Sequence, residues 1–322
     1  MRAGRLLKGA GLLAALLAGW IVFGGWYGRG PLPHETNFLV PDGASLAVVA
    51  ARLEEKHAIV SARAFRLRAR VFGRGAKIKA GEFALPSGAS ESLILRIISG
   101  DEALRRFVTI AEGLPAIMVA EKLNAQPLLV GKVDAPAEGS VLPETYDFGR
   151  DDSRQAVLGR MQAAMTRTLA AEWAARAPGL PLKSPHEALV LASIVEKETG
   201  KPGERAMVAG LYENRLRQGI MLHADPTIIY PITKGKPLGR RIRQSEIAAE
   251  NGYNTYAMVG LPKGPITNPG KASIHAVLHP APTDALYMVA DGSGGHAFAA
   301  TLEQHNQNVQ KWFAIRRARG EL

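Results

Sequence analysis

A long apolar run opens the chain. Residues 9–27 are 19 residues without a charge, and as a helix they would extend about 28 Å, close to the ~30 Å hydrocarbon core of a bilayer. The charged residues that precede the run are all basic, which predicts a cytoplasmic N-terminus at residues 1–8 and export of the rest. Aromatic residues near its far end would form an interfacial belt: Trp20, Trp26 and Tyr27. The pattern predicts a single-pass transmembrane anchor.

A cleaved signal peptide is the alternative interpretation of the same run. The apolar core of such a peptide usually has about 7–15 residues and is followed by a small-x-small cleavage site. Residues 26–29, Trp-Tyr-Gly-Arg, do not provide that site. We therefore expect an anchor that is not cleaved.

A short strand, a turn with glycine and a helix follow one another twice after the apolar run. The first copy covers residues 37–53 and the second residues 81–98, each around a Pro-x-Gly-Ala-Ser turn. Proline and glycine turn the chain, and Ser45 and Ser90 are placed to cap the helices that follow. A looser third copy covers residues 107–124. This order predicts small strands that alternate with helices.

The segment between the two copies is strongly basic. Residues 61–80 contain seven lysines and arginines and no acidic residue. Interleaved apolar residues predict an amphipathic helix with a solvated cationic face rather than a nucleic-acid surface, although attraction to anionic lipid or wall polymer is an alternative.

The order strand, helix, helix, strand over residues 38–85 resembles the LysM fold, a small module that binds N-acetylated glycans.

Two glutamates end the most informative helix of the sequence. Residues 188–195 are apolar nearly all round, which predicts a helix buried in the core, and Gly200 and Pro202 stop it. Glu196 and Glu198 therefore lie at its C-terminal end, where burial and the helix dipole both raise the pKa of a carboxyl group. A raised pKa is what a general acid needs near neutral pH.

Helical periodicity alone does not choose between the two glutamates. Residues two positions apart point about 200° away from each other, so only one of them can face a given cleft. Both could instead be structural carboxylates that pair with neighbouring basic side chains, namely Lys197, Lys201 or Arg205.

Composition excludes several kinds of chemistry. The chain has 322 residues, a formal net charge of +11 and no cysteine, so it has no disulfide scaffold, thiolate nucleophile or Cys-ligated metal site. There is no Gly-x-Ser-x-Gly nucleophile elbow. Residues 292–295, Gly-Ser-Gly-Gly, lack the Lys-Ser/Thr of a phosphate loop and predict a tight turn.

Hydroxyl, amide and aromatic side chains cluster in the second half of the sequence. Such groups recognise sugars through hydrogen bonds and ring stacking. Three of the candidates could instead have a purely structural role: a turn cap for Asp225, a core tyrosine for Tyr146 and a turn in the cleft wall for Asn268. The candidate substrate-binding residues are Tyr253, Asn254, Thr255, Tyr256, Asp225, Thr227, Tyr146 and Asn268.

Many ordered motifs together resemble the endolytic murein transglycosylase (MltG, YceG-like) family. The most specific is Ala-Ser-Ile-Val-Glu-Lys-Glu-Thr at residues 192–199, and the resemblance covers essentially the whole chain. Members commonly carry glutamine where this chain has His223. The other motifs, in chain order, lie at residues 138–146, 214–216, 222–230, 253–256, 260–266, 268–270, 279–280, 287–298 and 305–306.

The resemblance implies cleavage of the β-1,4 bond between MurNAc and GlcNAc within nascent glycan strands, leaving 1,6-anhydroMurNAc ends and terminating strand elongation. One glutamate acts as acid and then as base, and the C6 hydroxyl of the substrate is the nucleophile, so no metal or cofactor is expected. Comparison with lysozyme-like lytic enzymes, in which serine follows the catalytic glutamate, favours Glu198-Thr199, with Glu196 as second choice. Glu144 and Asp225 would be candidates if a hydrolase needed a second carboxylate.

The resulting prediction is an α+β protein in the bacterial inner membrane with a periplasmic catalytic domain. Its expected parts are a transmembrane helix at 9–27, a spacer at 28–36, a LysM-like β-α-α-β subdomain at 37–104 and a larger mixed α+β catalytic domain at 105–322. Peptidoglycan strands are the expected partner, together with penicillin-binding synthases by resemblance, and nucleic acid is not. The alternative function is a non-catalytic peptidoglycan-binding scaffold.

Overall fold

The computed structural model of the chain describes Gly19 and residues 23–321. The chain folds into two compact units. Of the described residues, the first unit takes those up to Arg106 together with Asp147–Asp151, and the second takes Phe107–Tyr146 together with those from Asp152 onward. The domain boundaries given above stay a prediction.

From Thr36 onward, the described part of the first unit contains one antiparallel strand pair and three helices. Strand β1 (Thr36–Val40) pairs with β2 (Gly81–Leu85), with Thr36 opposite Leu85 and Val40 opposite Gly81. The helices are α1 (Leu46–Glu55), α2 (Ala62–Phe72) and α3 (Glu91–Ser99).

Serine hydroxyls begin all three helices of this unit. Ser45, Ser61 and Ser90 each accept a hydrogen bond from the backbone N–H three residues further on, so the predicted caps at Ser45 and Ser90 are confirmed. The fully buried side chains of the unit include Leu53, Phe65, Phe83, Leu85, Ile94 and Ile98.

Helix α2 is amphipathic, but its apolar side is narrower than the sequence suggests. Phe65 is fully buried, whereas Leu67 and Val71 are each 64% exposed. These two residues stand two and six positions from Phe65, and on a helix they turn about 200° and 240° away from it.

The second unit is mainly helical and carries two further strand pairs, β3 with β4 and β5 with β6. Its strands are β3 (Arg106–Thr109), whose first residue belongs to the first unit, β4 (Thr145–Phe148), whose last two residues do, β5 (Tyr287–Ala290) and β6 (His296–Ala299). Its helices are α4 (Ala116–Asn124), α5 (Arg154–Ala174), α6 (Pro185–Glu198), α7 (Arg205–Gln218), α8 (Asp225–Thr233), α9 (Gln244–Ile247), α10 (Lys271–Leu278) and α11 (Leu302–Ala318).

Helix α6 is the centre of this unit. Ser184 caps it, and every residue from Ala188 to Val195 is buried, so the predicted buried helix is confirmed. Helices α5, α7, α8 and α10 all pack against it. Because its whole circumference is covered, only its C-terminal turn presents side chains to a cleft.

The predicted membrane anchor and inner-membrane localisation are contradicted. Among Gly19 and residues 23–321, none of the helices combines the length and apolar character that crossing a bilayer requires. The predicted aromatic belt is wrong for Trp26, which is 3% exposed and packs on Phe65 and Phe72 at ring-centroid distances of 6.4 and 5.8 Å. The rest of the predicted anchor, residues 9–18 and 20–22, lies outside the described residues.

The predicted fold class is corrected accordingly. The described chain is a mixed α/β protein whose strands form only small two-stranded sheets, and the predicted transmembrane helix is not part of it. The order strand, helix, helix, strand is present in the first unit, but the LysM-like assignment is not supported. Strands of four or five residues pair only with one neighbour, so most burial comes from helices.

Candidate active site

The last turn of α6 directs its two glutamates to different surroundings. The Oε2 atom of Glu196 accepts a hydrogen bond from the backbone N–H of Gly270 at 2.9 Å. Its Oε1 atom lies 3.8 Å from the guanidinium of Arg205. Glu196 therefore holds the start of α10 against the end of α6, which is the structural role of a paired carboxylate.

Glu198 instead lines a cavity of about 600 Å³ in the second unit. Its Oε1 atom is buried and has no hydrogen-bond partner among the described atoms. Burial, and secondarily the negative charge of Asp225, raise the pKa of Glu198 to about 7. Residues on α7, α8, the β5–β6 hairpin and the start of α11 complete the wall of this catalytic-site candidate, which we call the first cavity.

Helix α7 supplies the polar groups nearest to Glu198. Tyr212 is buried, and its hydroxyl forms a hydrogen bond with the Glu198 carboxyl group. Arg215, one turn later, donates hydrogen bonds to the carbonyl oxygens of Leu286 at 2.6 Å and Leu222 at 2.7 Å. The guanidinium is thereby fixed at the cavity, where its positive charge opposes the rise in the pKa of Glu198.

The opposite wall carries Asp225, the first residue of α8. The hydroxyl of Tyr256 donates a hydrogen bond to Asp225 Oδ1 at 2.7 Å, and the ring of His223 stacks on Tyr256 with centroids 4.7 Å apart. Burial is the main cause that raises the pKa of Tyr256 above its usual range, so the phenol stays a donor. These three side chains combine an anion with flat ring surfaces.

Two histidines line the remaining side. His296 Nδ1 lies 2.9 Å from Glu204 Oε2, and Glu204 also accepts a hydrogen bond from the Thr199 hydroxyl at 3.3 Å. The ring of His305 stacks on Tyr287 with centroids 5.3 Å apart. The residue after Glu198 is thus linked through one carboxylate to the cavity wall.

Of the eight predicted substrate-binding residues, the structure brings only Asp225 and Tyr256 to the first cavity. The buried side chain of Asn254 donates to the carbonyl oxygens of Ile247 and Ala249, both at 2.8 Å. Thr227 and Thr255 are fully buried and share a hydrogen bond of 2.9 Å.

The other three candidates also make internal contacts. The hydroxyl of Tyr146 donates to the carbonyl oxygen of Leu142 at 2.7 Å. Tyr253 packs on Tyr230 with ring centroids 4.8 Å apart. These tyrosines shape the structure behind the cavity, and a direct contact with substrate stays a prediction.

Asn268 is fully buried and joins two loops. Its side chain accepts a hydrogen bond from the Val141 N–H at 3.0 Å and donates one to the Leu114 carbonyl oxygen at 2.8 Å.

Asn268→Ala leaves both backbone groups unpaired, so we expect the free energy of unfolding to fall by about 2–4 kcal/mol. Thermal and urea unfolding measure it, and exposed Asn306→Ala is the control. Unchanged stability together with weakened glycan binding would instead mean that Asn268 contacts the substrate.

Two further glutamates of the second unit have a raised pKa but lie outside the first cavity. Burial raises the pKa of both Glu138 and Glu213 to about 7. Glu138 accepts a hydrogen bond from the first N–H of α4 at 2.8 Å, and Glu213 pairs with Arg217 at 3.0 Å. Geometry, rather than the pKa, therefore singles out Glu198 as the carboxyl group that a substrate can reach.

One side-chain cluster has the composition of a metal site. Glu172 on α5, with His275 and His279 at the end of α10, places one ligand atom from each residue within 4.8 Å of the others. The sequence interpretation overlooked this i, i+4 histidine pair. The Nζ atom of Lys271 lies 3.8 Å from Glu172 and competes for its carboxylate, and none of the three residues lines the first cavity.

The cavity residues that the sequence interpretation left unassigned include five polar ones, Tyr212, Arg215, Tyr287, His296 and His305. A signal was present for four of them, because the motifs at 214–216, 287–298 and 305–306 contain an arginine, a tyrosine and two histidines. For Tyr212 the signal is helical spacing, since it stands one turn before Arg215 on the same face.

Comparisons with known proteins agree with one another. The sequence profile of the YceG-like family matches residues 38–311. An endolytic murein transglycosylase of Bacillus subtilis is 26% identical over 86% of this chain and 85% of its own length. One of Streptococcus pneumoniae is 32% identical over 53% of this chain, which spans only 31% of that relative.

A solved structure of similar fold comes from Listeria monocytogenes. It is a YceG-like protein with 25% sequence identity and a TM-score of 0.53, and the match covers 85% of this chain and 98% of that one. The family profile alone covers well over half of the sequence. The chain therefore belongs to the YceG-like family.

Proposed function

We propose that this protein is an endolytic peptidoglycan transglycosylase. Its curated relatives bear the name endolytic murein transglycosylase. The observation that carries the proposal is Glu198, a carboxyl group with a pKa of about 7 on the wall of a cavity of about 600 Å³. A protonated carboxyl group at neutral pH is the group that an acid-catalysed cleavage of a glycosidic bond requires.

In the proposed reaction Glu198 acts twice. Its proton passes to the oxygen between MurNAc C1 and GlcNAc C4 as the bond from C1 to that oxygen breaks. The resulting carboxylate takes the proton of the MurNAc C6 hydroxyl while O6 forms a bond to C1. The products are a GlcNAc 4-hydroxyl and a 1,6-anhydroMurNAc end, no water is consumed, and Glu198 is protonated again.

Two charged neighbours support these steps. The carboxylate of Asp225 raises the pKa of Glu198 through its charge and would also face positive charge that develops at C1. Arg215, fixed by the carbonyl oxygens of Leu286 and Leu222, would stabilise the Glu198 carboxylate between the two proton transfers. The two side chains therefore favour opposite protonation states of one group, which suits a residue that alternates between acid and base.

A non-catalytic peptidoglycan-binding scaffold is the competing function. Such a protein needs sugar-binding groups but no buried carboxyl oxygen without a hydrogen-bond partner, and leaving Glu198 Oε1 in that state is costly. Glu91 Oε2 and Glu213 Oε1 are also buried without a partner, but neither residue lines the first cavity, so the combination at Glu198 favours catalysis. Interaction with penicillin-binding synthases follows from the family resemblance alone and is proposed on that basis.

The products distinguish the two functions. We expect the full-length chain, incubated with purified peptidoglycan, to release fragments with anhydroMurNAc ends, which mass spectrometry identifies because each is one water lighter than the hydrolysed fragment. A scaffold would release none. Reducing MurNAc ends would mean attack by water, and Asp225 rather than Glu144 would then be the second carboxylate, because only Asp225 lines the cavity.

A further inference from the structure

A second cavity of about 420 Å³ adjoins the first one within the second unit. Lys197, Pro226 and Ile229 line both cavities, so the two lie side by side at these residues. The side chains that belong to the second cavity alone are Leu114, Pro115, Met118, Tyr230, Lys236, Pro237, Leu238 and Ile266.

The second cavity is apolar with two positive charges. Lys197 and Lys236 are the charged residues among its described lining residues, and none of that lining is acidic. Lys236 forms an ion pair of 2.6 Å with Glu121, in which both side chains are about half exposed. A ligand with carboxylates can therefore replace Glu121 at Lys236 at small cost, because an exposed ion pair contributes little to stability.

The lining is poorly suited to a sugar. Binding of a carbohydrate needs many hydrogen-bond donors and acceptors, whereas this cavity offers one hydroxyl besides the lysines. That hydroxyl, on Tyr230, already forms hydrogen bonds with Glu138 and Tyr253. A ligand with small apolar side chains and free carboxylates fits the lining better.

We propose that the second cavity binds the stem peptide of a MurNAc residue whose sugar ring occupies the first cavity. This inference rests on the proposed function. The peptide is attached to the sugar through its lactyl group, so it branches from the glycan and needs a site directly beside the sugar site. Its alanine methyl groups contact the proline, leucine and methionine side chains, and its carboxylates contact Lys197 and Lys236. The enzyme thereby favours peptide-bearing strands over stripped ones.

The test compares peptide-bearing glycan strands with strands stripped by an amidase. We expect the full-length wild-type chain to show a lower KM for the peptide-bearing strands. Lys236→Glu should raise that KM about fivefold to tenfold, through lost attraction and added repulsion, and leave kcat and the KM for stripped strands unchanged. Glu121→Gln breaks the same ion pair but keeps the cation, so its KM values should match those of the wild type.

Two results would overturn the inference while leaving the proposed function intact. One is a wild-type KM that does not depend on the peptide, and the other is a Lys236→Glu variant that is impaired equally on both substrates. Failure of the wild type to cleave either substrate would overturn the proposed function instead. Calorimetric binding of the free stem peptide, expected to be about fivefold to tenfold weaker in Lys236→Glu than in the wild type, tests the second cavity independently of cleavage.

Discussion

Replacement of Glu198 by glutamine is expected to lower kcat by about 10⁴-fold while the protein stays folded. The substitution keeps the shape of the side chain but removes the proton that the reaction needs. General acid–base catalysis alone contributes about 10²–10⁴ in rate, and the loss should reach the upper end because the same group serves in both steps. Initial rates of anhydro-fragment release measure the effect.

Glu196→Gln is the matched control, since it makes the same chemical change two residues earlier. The amide oxygen can still accept the Gly270 N–H, while the charge interaction with Arg205 is lost. The pair is largely buried, and Arg205 keeps Glu112 as a partner at 3.2 Å. We therefore expect a loss of about 1–3 kcal/mol in stability and a kcat within about threefold of the wild-type value. Melting temperatures must accompany both rates. An inactive, folded Glu196→Gln beside an active Glu198→Gln would reverse the assignment.

The sequence was sufficient for local features of the fold and for the helix that carries the site. Ser45 and Ser90 cap their helices as predicted because a cap depends on residues only three positions away. Helix α6 is buried as predicted because its apolar residues cover its whole circumference. The contacts that distinguish Glu196 from Glu198 involve residues far along the chain, such as Gly270. Helical periodicity carries no information about such contacts.

Residue type alone does not decide which of two roles a side chain serves. Asn254, Thr255 and Asn268 carry groups that bind sugars, but the same groups satisfy buried backbone N–H and carbonyl groups, and here they make such internal hydrogen bonds. Trp26 illustrates the same ambiguity for apolar residues. An aromatic ring suits a membrane interface and a protein core equally, and in this chain it packs in the core of the first unit.

The pH dependence of the reaction should follow the pKa of Glu198. Because the first step uses the protonated form, and the pKa is about 7, kcat/KM is expected to fall tenfold for each pH unit above about 7, or about 100-fold by pH 9. Asp225→Asn removes a negative charge that raises this pKa, so the decline should begin at lower pH in that variant. Rates from pH 5 to 9 with both proteins test this. A decline that begins at the same pH in both would contradict the role of Asp225.

The same pKa predicts a stability effect that is independent of activity. The ordinary value of 4.5 applies to the unfolded chain and about 7 to the folded one, so folding favours the protonated form. Its contribution to stability is complete below pH 4.5 and is lost as pH rises through about 7. Glutamine never ionises, so Glu198→Gln should be more stable than the wild type at pH 8, by up to about 3 kcal/mol, and similar to it at pH 4.5. Urea unfolding at both pH values measures the difference, and a variant less stable than the wild type at pH 8 would contradict a buried carboxylate at this position.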